Sequence, residues 1–159
     1  MMDKYTIRLC KITDMEQIVD INRVCLPENY NEKFFADVLK RWPKMFFVAE
    51  IEKEIVGYVM CIVQKELNNI VFVDKGVLAS VAVLSKYRQL GIGRALVQYT
   101  LNGLVDSGIK TCVLQVRTSN TNAIWLYKEL DFKVIGTLAR YYADGEDAFL
   151  MSKDLKQKI

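Results

Sequence analysis

The most informative absence in this chain of 159 residues is histidine, which does not occur at all. A chain without imidazole has no Ser-His or Cys-His catalytic pair and no histidine-containing metal site. Any proton transfer must therefore fall to carboxylates, tyrosine, lysine, cysteine or water. The sequence shows no cluster of other metal ligands, so we expect no metal.

Cysteine and proline are scarce, and long apolar runs are absent. The four cysteines are scattered without a C-x-x-C pair, which favours buried small side chains over metal ligands or nucleophiles. No apolar run reaches the 18 or so residues of a membrane helix, and residues 1–13 lack the apolar core of a signal peptide. We therefore expect a cytoplasmic protein without membrane partners.

The charge is nearly balanced, with 22 basic and 19 acidic residues and a formal net charge of +3. A nucleic-acid-binding protein usually shows a basic stripe or a pI above about 9, whereas the pI here is about 8.6, so we expect no nucleic-acid partner. Hydrophobic residues make up 52% of the chain, which excludes a disordered protein. This length has room for one domain, and we expect a single domain over residues 1–159.

Hydrophobic periodicity predicts helices alternating with strands. A Thr13–Glu16 capping box predicts the start of the first helix, which must end before Pro27. Asn31 is a plausible cap for the second helix, and Gly108 marks the end of the third. The later helices are predicted at 32–40, about 92–105 and 120–130, and the strands at 46–51, 55–63, 77–84, 111–116, 132–135 and 148–151. This alternation predicts an α/β or α+β domain with a mixed sheet.

The strongest chemical signal is a glycine-rich turn between the long buried strand and the third helix. Gly91 and Gly93 open that helix, and the N–H groups of its first turn favour an anion. Arg88 and Arg94 add positive charge. A pyrophosphate cradle and a plain strand-to-helix turn both fit this pattern. A Rossmann fingerprint would need a third glycine where Leu96 stands, and the Gly-Lys-Ser/Thr of a P-loop is missing, so both are excluded.

In this context, R-x-x-G-x-G at 88–93 resembles the acetyl-CoA motif of the GCN5-related N-acetyltransferases. The resemblance covers essentially the whole chain, in order. Its further blocks lie at 26–30, 114–120, 123–127, Phe132 and 140–148. The two outer blocks, LPENY at 26–30 and RYYADGEDA at 140–148, resemble protein N-terminal acetyltransferases of the archaeal and NatA catalytic-subunit type, with the bacterial ribosomal-protein-alanine enzymes as relatives.

The resemblance implies a single acetyltransferase domain with a mixed sheet of about six to seven strands, four helices and splayed strands at the acetyl-CoA site. It implies acetyl-CoA as cosubstrate and no metal. The splayed strand and Asn120 would contact the pantetheine arm, and the glycine-rich turn would hold the pyrophosphate. The residues implied for acetyl-CoA binding are Val81, Ala82, Val83, Arg88, Gln89, Leu90, Gly91, Ile92, Gly93, Arg94, Asn120 and Tyr127.

The resemblance also implies roles in acetyl transfer. Tyr127 would lie near the sulfur as the general acid, and Glu28 would orient or deprotonate the substrate amine through water. Tyr30 would shape the pocket for the first side chain of the substrate. Tyr141 and Tyr142 would bind the peptide backbone.

Gln115 departs from the family pattern, because many relatives carry a glutamate there that is named as the base. Glutamine takes no proton near neutral pH, so the base is either Glu28 or an ordered water. A weak base suits an α-amine, of which roughly one in ten is neutral at pH 7, against about one lysine in 2,500. The difference is about 3.4 kcal/mol, which favours N-terminal substrates over lysine.

We therefore predict a peptide α-N-acetyltransferase that acts on protein or nascent-chain N-termini by direct attack in a ternary complex. The nearer alternative is the same fold acting on lysine or a small amine, and the more distant one is a non-catalytic acetyl-CoA-binding module. The sequence leaves open which first residues are accepted, whether the ribosome or an auxiliary subunit presents the substrate, and the oligomeric state.

Overall fold

A computed structural model describes residues 4–156 of the chain. This part of the chain contains seven strands and four α-helices. In chain order these are β1 (Thr6–Leu9), α1 (Met15–Cys25), α2 (Glu32–Arg41), β2 (Phe46–Ile51), β3 (Glu54–Asn68), β4 (Val71–Val83), α3 (Ile92–Asp106), β5 (Thr111–Arg117), α4 (Thr121–Glu129), β6 (Lys133–Leu138) and β7 (Ala148–Asp154).

The strands form one mixed sheet in the order β1-β2-β3-β4-β5-β7-β6. The pairs β1–β2, β2–β3, β5–β7 and β6–β7 are antiparallel. Strand β4 pairs with β5 in parallel, with Gly76 opposite Cys112 and Val77 opposite Val113. The predicted mixed sheet with four helices is confirmed, and the expected splaying of two strands stays a prediction.

The described residues divide into two compact units, each with its own apolar core. The first unit runs to Ile62 and includes Ser80–Gly103, and the second consists of Val63–Ala79 and the residues from Leu104 onward. Fully buried side chains of the first unit include Ile18, Phe35, Phe46, Tyr58, Met60 and Leu96. Those of the second unit include Leu104, Leu114 and Met151.

The start of α1 differs from the prediction. Thr13 lies inside a short 3-10 turn, and Asp14 stands at the N-cap position. The Asp14 carboxylate accepts the Lys11 N–H at 2.8 Å and two guanidinium N–H groups of Arg8 at 2.8 and 2.9 Å. The predicted capping box of Thr13 and Glu16 is therefore wrong, because a bidentate arginine holds the neighbouring carboxylate one residue further along the chain.

Other sequence signals for the starts and ends of helices are confirmed. Helix α1 ends at Cys25, ahead of Pro27, and the Asn31 Oδ1 atom accepts the Phe34 N–H at 2.8 Å to cap α2. Gly108, just beyond α3, has a φ of +78°, a left-handed conformation that favours glycine. These local signals are reliable because each one depends on neighbours within a few residues.

Strands β3 and β4 extend well beyond the predicted segments. They form a hairpin arm whose residues 66–74 are exposed. Ile70, Val71 and Phe72 of this arm are exposed, at 93%, 59% and 67%. The sequence pattern missed the arm because its apolar residues do not alternate with polar ones as they do in a half-buried strand.

A close backbone approach ties α3 to the residues that precede β2. A Cβ atom added to Gly103 would lie 2.5 Å from the carbonyl oxygen of Lys44, a distance that real Cβ atoms do not show. The absence of a side chain at this position therefore allows the helix to pack where it does.

The cysteines are free thiols, as expected. Cys10, Cys61 and Cys112 are buried, but Cys25 is half-buried, so the prediction of burial holds for three of the four. Across residues 4–156, no helix is both long and apolar enough to cross a membrane.

Candidate active site

In the first unit, the last residues of β4 direct their backbone groups to alternate sides. The Leu84 N–H donates to the Val56 carbonyl at 2.9 Å, and the Ala82 carbonyl oxygen lies close to Gly57 of β3. Because neighbouring residues of a strand point their polar backbone groups in opposite directions, those of Val81 and Val83 face away from β3. Two of the three strand residues predicted to bind the cosubstrate therefore present backbone groups beyond the β3–β4 ladder.

The glycine-rich turn follows β4 and opens α3. The Arg88 Nε atom donates to the Val83 carbonyl at 2.9 Å, which fixes the turn to the end of the strand. Gln89 and Gly91 have φ angles of +66° and +84°. The Gly91 carbonyl accepts the Ala95 N–H at 3.0 Å and so begins the helical hydrogen bonds of α3. The predicted turn is confirmed in position and in its need for glycine at residue 91.

The side chains of this turn divide into anchors and exposed groups. Ile92 is buried in the first unit and anchors the start of α3, with Leu90 and Gly93 half-buried. Arg88 and Arg94 are exposed at the same helix end. The first N–H groups of a helix have no carbonyl partner within that helix and carry a partial positive charge. The arrangement is suited to an anion.

Residues 28–30 form an irregular segment between α1 and α2. The Glu28 carbonyl accepts the Asn22 Nδ2 group at 3.1 Å, and the Tyr30 N–H donates to Asn22 Oδ1 at 3.0 Å. The Tyr30 ring stacks on Phe34 with centroids 4.7 Å apart. Glu28 and Tyr30 are both half-buried. The two predicted substrate residues thus belong to one segment, and Asn22 hydrogen-bonds to the backbone of both.

In the second unit, Asn120 and Tyr127 lie at the start and near the end of α4. The Asn120 Oδ1 atom accepts the Ala123 N–H at 3.2 Å and caps the helix. This oxygen has a structural role, which leaves the Nδ2 group as the end suited to the predicted pantetheine contact. Tyr127 is half-buried, with its ring at an edge to Phe132, 5.8 Å between centroids.

The Tyr127 phenol is strongly biased toward its protonated form. Burial is the main cause that raises its pKa, and the Cys112 thiol and the Tyr142 phenol raise the pKa further. A phenol of this kind keeps its proton throughout the neutral range.

A tight loop at 139–147 carries Tyr141 and Tyr142. The Tyr142 N–H donates to the Glu146 carbonyl at 3.1 Å, and the two tyrosine rings meet edge to face at 5.0 Å. Tyr141 is half exposed and Tyr142 half-buried. The loop thus presents one ring to solvent and packs the other inward.

Arg117 at the end of β5 holds this loop. Its Nη1 atom donates to Asp144 Oδ2 at 2.8 Å and to Glu146 Oε1 at 2.9 Å, and its guanidinium lies 4.1 Å from the Tyr142 ring centroid. The pKa of Asp144 is lowered by the Glu146 backbone N–H and then by Arg117, and the pKa of Glu146 by Ser119 and then by Arg117. Both carboxylates stay ionised at neutral pH.

Gln115 is half-buried on β5, opposite Leu150 of β7. Because a glutamine side chain takes no proton near neutral pH, Gln115 cannot act as a base. Among the described residues, no group of three or more histidine, cysteine, aspartate or glutamate side chains is arranged to hold a metal ion.

Sequence reasoning missed two residues that fix the predicted site segments. Asn22 was overlooked although it stands on the apolar side of α1, where an amide signals a buried hydrogen-bond network. Arg117 belonged to a matching block but was given no role. Its partners Asp144 and Glu146 lie 27 and 29 residues further along the chain, so no local pattern could reveal them.

Comparison with known proteins identifies the family of this chain. Residues 15–132 match the family described as Acetyltransferase (GNAT) family. An N-alpha-acetyltransferase of Sulfurisphaera tokodaii is 45% identical over 157 residues, which covers 96% of this chain and 94% of the relative. The chain belongs to the acetyltransferase (GNAT) family.

Two solved structures extend the comparison. Ard1 from Thermoplasma volcanium aligns with a TM-score of 0.84 at 27% identity, covering 96% of this chain and 99% of that one. Naa50 of Arabidopsis thaliana, in complex with the bisubstrate analogue CoA-Ac-MVNAL, aligns with a TM-score of 0.81 at 25% identity, covering 94% and 97%. The predicted fold and the predicted enzyme class, an acyltransferase of the N-terminal acetyltransferase type, are confirmed.

Proposed function

We propose that this protein transfers the acetyl group of acetyl-CoA to the α-amine of a protein N-terminus, by direct attack in a ternary complex. One observation carries the proposal: the left-handed Gly91 turn that opens α3 next to the end of β4, with Arg88 and Arg94 exposed beside it. Acetyl-CoA supplies the reaction with a thioester, whose thiolate is a good leaving group. Positioning of two substrates then provides much of the acceleration.

The residues of the turn fit a pyrophosphate group. A Cβ atom added to Gly91 would have only the Tyr5 Oη atom nearby among the described residues, at 3.8 Å, so the backbone at this point is open to a ligand. The first N–H groups of α3 would donate to phosphate oxygens. Arg88 and Arg94 would balance the charge, Arg88 while its Nε atom keeps the turn attached to Val83.

The end of β4 would hold the acyl end of the cosubstrate. The outward backbone groups of Val81 and the N–H of Val83 would pair with the pantetheine amides, while the Val83 carbonyl keeps its bond to Arg88. In the second unit, the Nδ2 group of Asn120 would contact the pantetheine arm. One of the two valine N–H groups would donate to the carbonyl oxygen as negative charge develops on it. Such preorganised donors stabilise an oxyanion without reorganisation during the reaction.

Tyr127 would act as the general acid. The phenol carries a proton at neutral pH, so a proton is available for the leaving thiolate. Glu28 would accept the amine proton, directly or through a water, because Gln115 takes none. For an α-amine this demand is small, since part of the substrate is already neutral at pH 7.

Tyr30 would bound the pocket for the first side chain, and Tyr141 and Tyr142 would bind the peptide backbone. We also propose that the protein acts in the cytoplasm as a single domain over residues 1–159, without nucleic-acid or membrane partners. The ribosome or an auxiliary subunit would present the substrate.

The experiment measures release of CoA thiol from acetyl-CoA with short peptides that begin with Ser, Ala or Met-Glu. A peptide with a blocked N-terminus and one internal lysine runs beside them. We expect acetylation of free N-termini alone. Modification of the blocked peptide would assign the protein to the lysine class, and tight acetyl-CoA binding without turnover would favour a binding module.

Two variants test the roles of the site residues. Tyr127→Phe should lower kcat by about 100-fold, since general acid catalysis contributes on that order. Glu28→Gln should lower kcat/KM by about tenfold, with the largest loss at low pH, where neutral amine is rare. The exposed residues Tyr99 and Glu54 provide matched controls, Tyr99→Phe and Glu54→Gln, which should leave kcat within twofold. Equal rates in Tyr127→Phe and Tyr99→Phe would rule out the phenol as the acid.

A further inference from the structure

Asn22 is a fully buried amide on the inner side of α1. A buried asparagine must satisfy two N–H donors and one oxygen acceptor within the protein. Its Nδ2 group donates to the Glu28 carbonyl at 3.1 Å and to the Tyr58 hydroxyl at 3.0 Å. Its Oδ1 atom accepts the Tyr30 N–H at 3.0 Å and lies 3.4 Å from the Asn29 Nδ2 donor. Every hydrogen-bonding group of the Asn22 side chain thus has a partner.

Most of these bonds go to residues 28–30, which have no regular structure of their own. The backbone oxygen of Asn22 adds another contact, because it accepts the Asn29 Nδ2 group at 3.1 Å. The Asn22 amide therefore fixes the backbone of this segment at two positions. It sets the Glu28 carbonyl and the Tyr30 N–H at the same time, and with them the places from which both side chains project.

The orientation of this amide is itself fixed. The Tyr58 oxygen receives an N–H from Asn22 and shares a second hydrogen bond with Ser80 Oγ at 2.6 Å, in which either hydroxyl can be the donor. Tyr58 and Ser80 are buried at 0% and 7% exposure. A reversed amide would place Oδ1 against the Glu28 carbonyl and Nδ2 against the Tyr30 N–H, two repulsive contacts. These two backbone partners leave the Asn22 amide one stable orientation.

We propose that Asn22 is a positioning residue for the acceptor substrate: by fixing the backbone of residues 28–30, it sets the affinity for the peptide and not the affinity for acetyl-CoA. This inference rests on the proposed function, which assigns Glu28 and Tyr30 to the peptide. The aromatic packing of Tyr30 on Phe34 and Phe35 makes its ring depend on the same backbone position, since a shift of the segment would break both ring contacts.

The test compares Asn22→Leu with Tyr58→Phe. Both variants remove a buried hydrogen bond at the same place, but only Asn22→Leu removes the bonds to residues 28–30. We expect Asn22→Leu to raise the KM for a Ser- or Ala-initiated peptide by about tenfold, as the loss of one or two net hydrogen bonds predicts. The KM for acetyl-CoA should stay within twofold. Tyr58→Phe should leave both KM values within twofold.

Asn22→Asp provides a readout that a purely structural role would not move. The introduced carboxyl accepts from Tyr30 in either protonation state, but it donates to the Glu28 carbonyl only when protonated, and burial raises the pKa of such a group. The ratio of its peptide KM to that of the wild type should therefore fall toward one as the pH is lowered from 8 to 6. If Asn22→Leu does not fold, Asn22→Asp still tests the proposal.

The possible outcomes separate this inference from the proposed function. Suppose that the wild type turns over a peptide. An unchanged peptide KM in Asn22→Leu, or a KM ratio for Asn22→Asp that does not change with pH, would then overturn this inference alone. If the wild type modifies only the lysine peptide, the proposed function fails, and the same ratios on that peptide still decide the role of Asn22. No turnover on any peptide would overturn both.

Discussion

The two segments assigned to the peptide are held by different kinds of interaction. Residues 28–30 are held by a neutral, buried amide, that of Asn22, whose partners are also neutral. The loop at 139–147 is held by the charges of Arg117, Asp144 and Glu146, and the side chain of Asp144 is 62% exposed. Because its groups are buried and neutral, we expect the first arrangement to be insensitive to salt and acid. The charges of the second one, with Asp144 exposed, should make it sensitive to salt and acid.

The largest effect that separates the two segments should come from Arg117→Leu. This change removes both ion pairs and the cation contact with Tyr142 at once. We expect the KM for peptide at saturating acetyl-CoA to rise by about tenfold. Thermal stability should fall modestly, because the pair with Asp144 is exposed and contributes little, whereas the pair with Glu146 is partly buried. Initial-rate kinetics would measure the change.

Lys153→Leu is the matched control for Arg117→Leu. It removes one positive charge and a long ion pair with Asp131, at 3.8 Å, on β7 of the same unit. Its peptide KM should stay within twofold. Equal effects from both variants would mean that net charge, and not the position of the loop, governs peptide affinity.

Acid should loosen the charged loop and leave the neutral segment unchanged. Asp144 and Glu146 have lowered pKa values in the folded protein. Their contribution is therefore fully present above the ordinary carboxyl pKa of about 4 and is lost as the pH falls through the lower folded values. Between pH 6 and pH 3.5, amide exchange at Tyr142, corrected for its intrinsic rate, should accelerate by about fivefold. Exchange at Tyr30 should not change, since Asn22 does not titrate.

The control for this measurement is Glu146→Gln, which should reduce the acid response at Tyr142. An equal loss of protection at Tyr30 and Tyr142 would instead indicate acid unfolding of the whole chain. In that case the contrast between the two segments would not hold.

The smallest effects concern buried hydroxyls with and without partners. Tyr58→Phe leaves Asn22 and Ser80 without a shared partner and should lower the free energy of unfolding by about 1–2 kcal/mol. Thr100 is buried, and its hydroxyl has no hydrogen-bond partner among residues 4–156. Thr100→Val should therefore be neutral or stabilise the protein by up to about 1 kcal/mol. Urea unfolding measures the free energy of unfolding of both variants. Destabilisation by Thr100→Val would contradict the distinction between hydroxyls with and without partners.

The features that could be predicted from the sequence are those whose physical cause is local. The Asn31 cap, the stop before Pro27 and the Gly91 turn each depend on a few neighbouring residues. The anchors of the two peptide segments depend on contacts between distant residues: Asn22 with Tyr58, and Arg117 with Asp144 and Glu146. The predicted start of α1 was wrong for the same reason. It depends on Arg8, which lies on a separate strand that the hydrophobic periodicity did not reveal.

The packing of α3 against the backbone near Lys44 also limits how far this sequence can vary. Alanine at position 103 would be the better helix former by about 1 kcal/mol, yet its methyl group would meet the Lys44 carbonyl oxygen at 2.5 Å. The smallest possible substitution is thus already excluded by a rigid neighbour. A saturation library of this protein should return glycine alone at position 103, although helical propensity ranks glycine near the bottom.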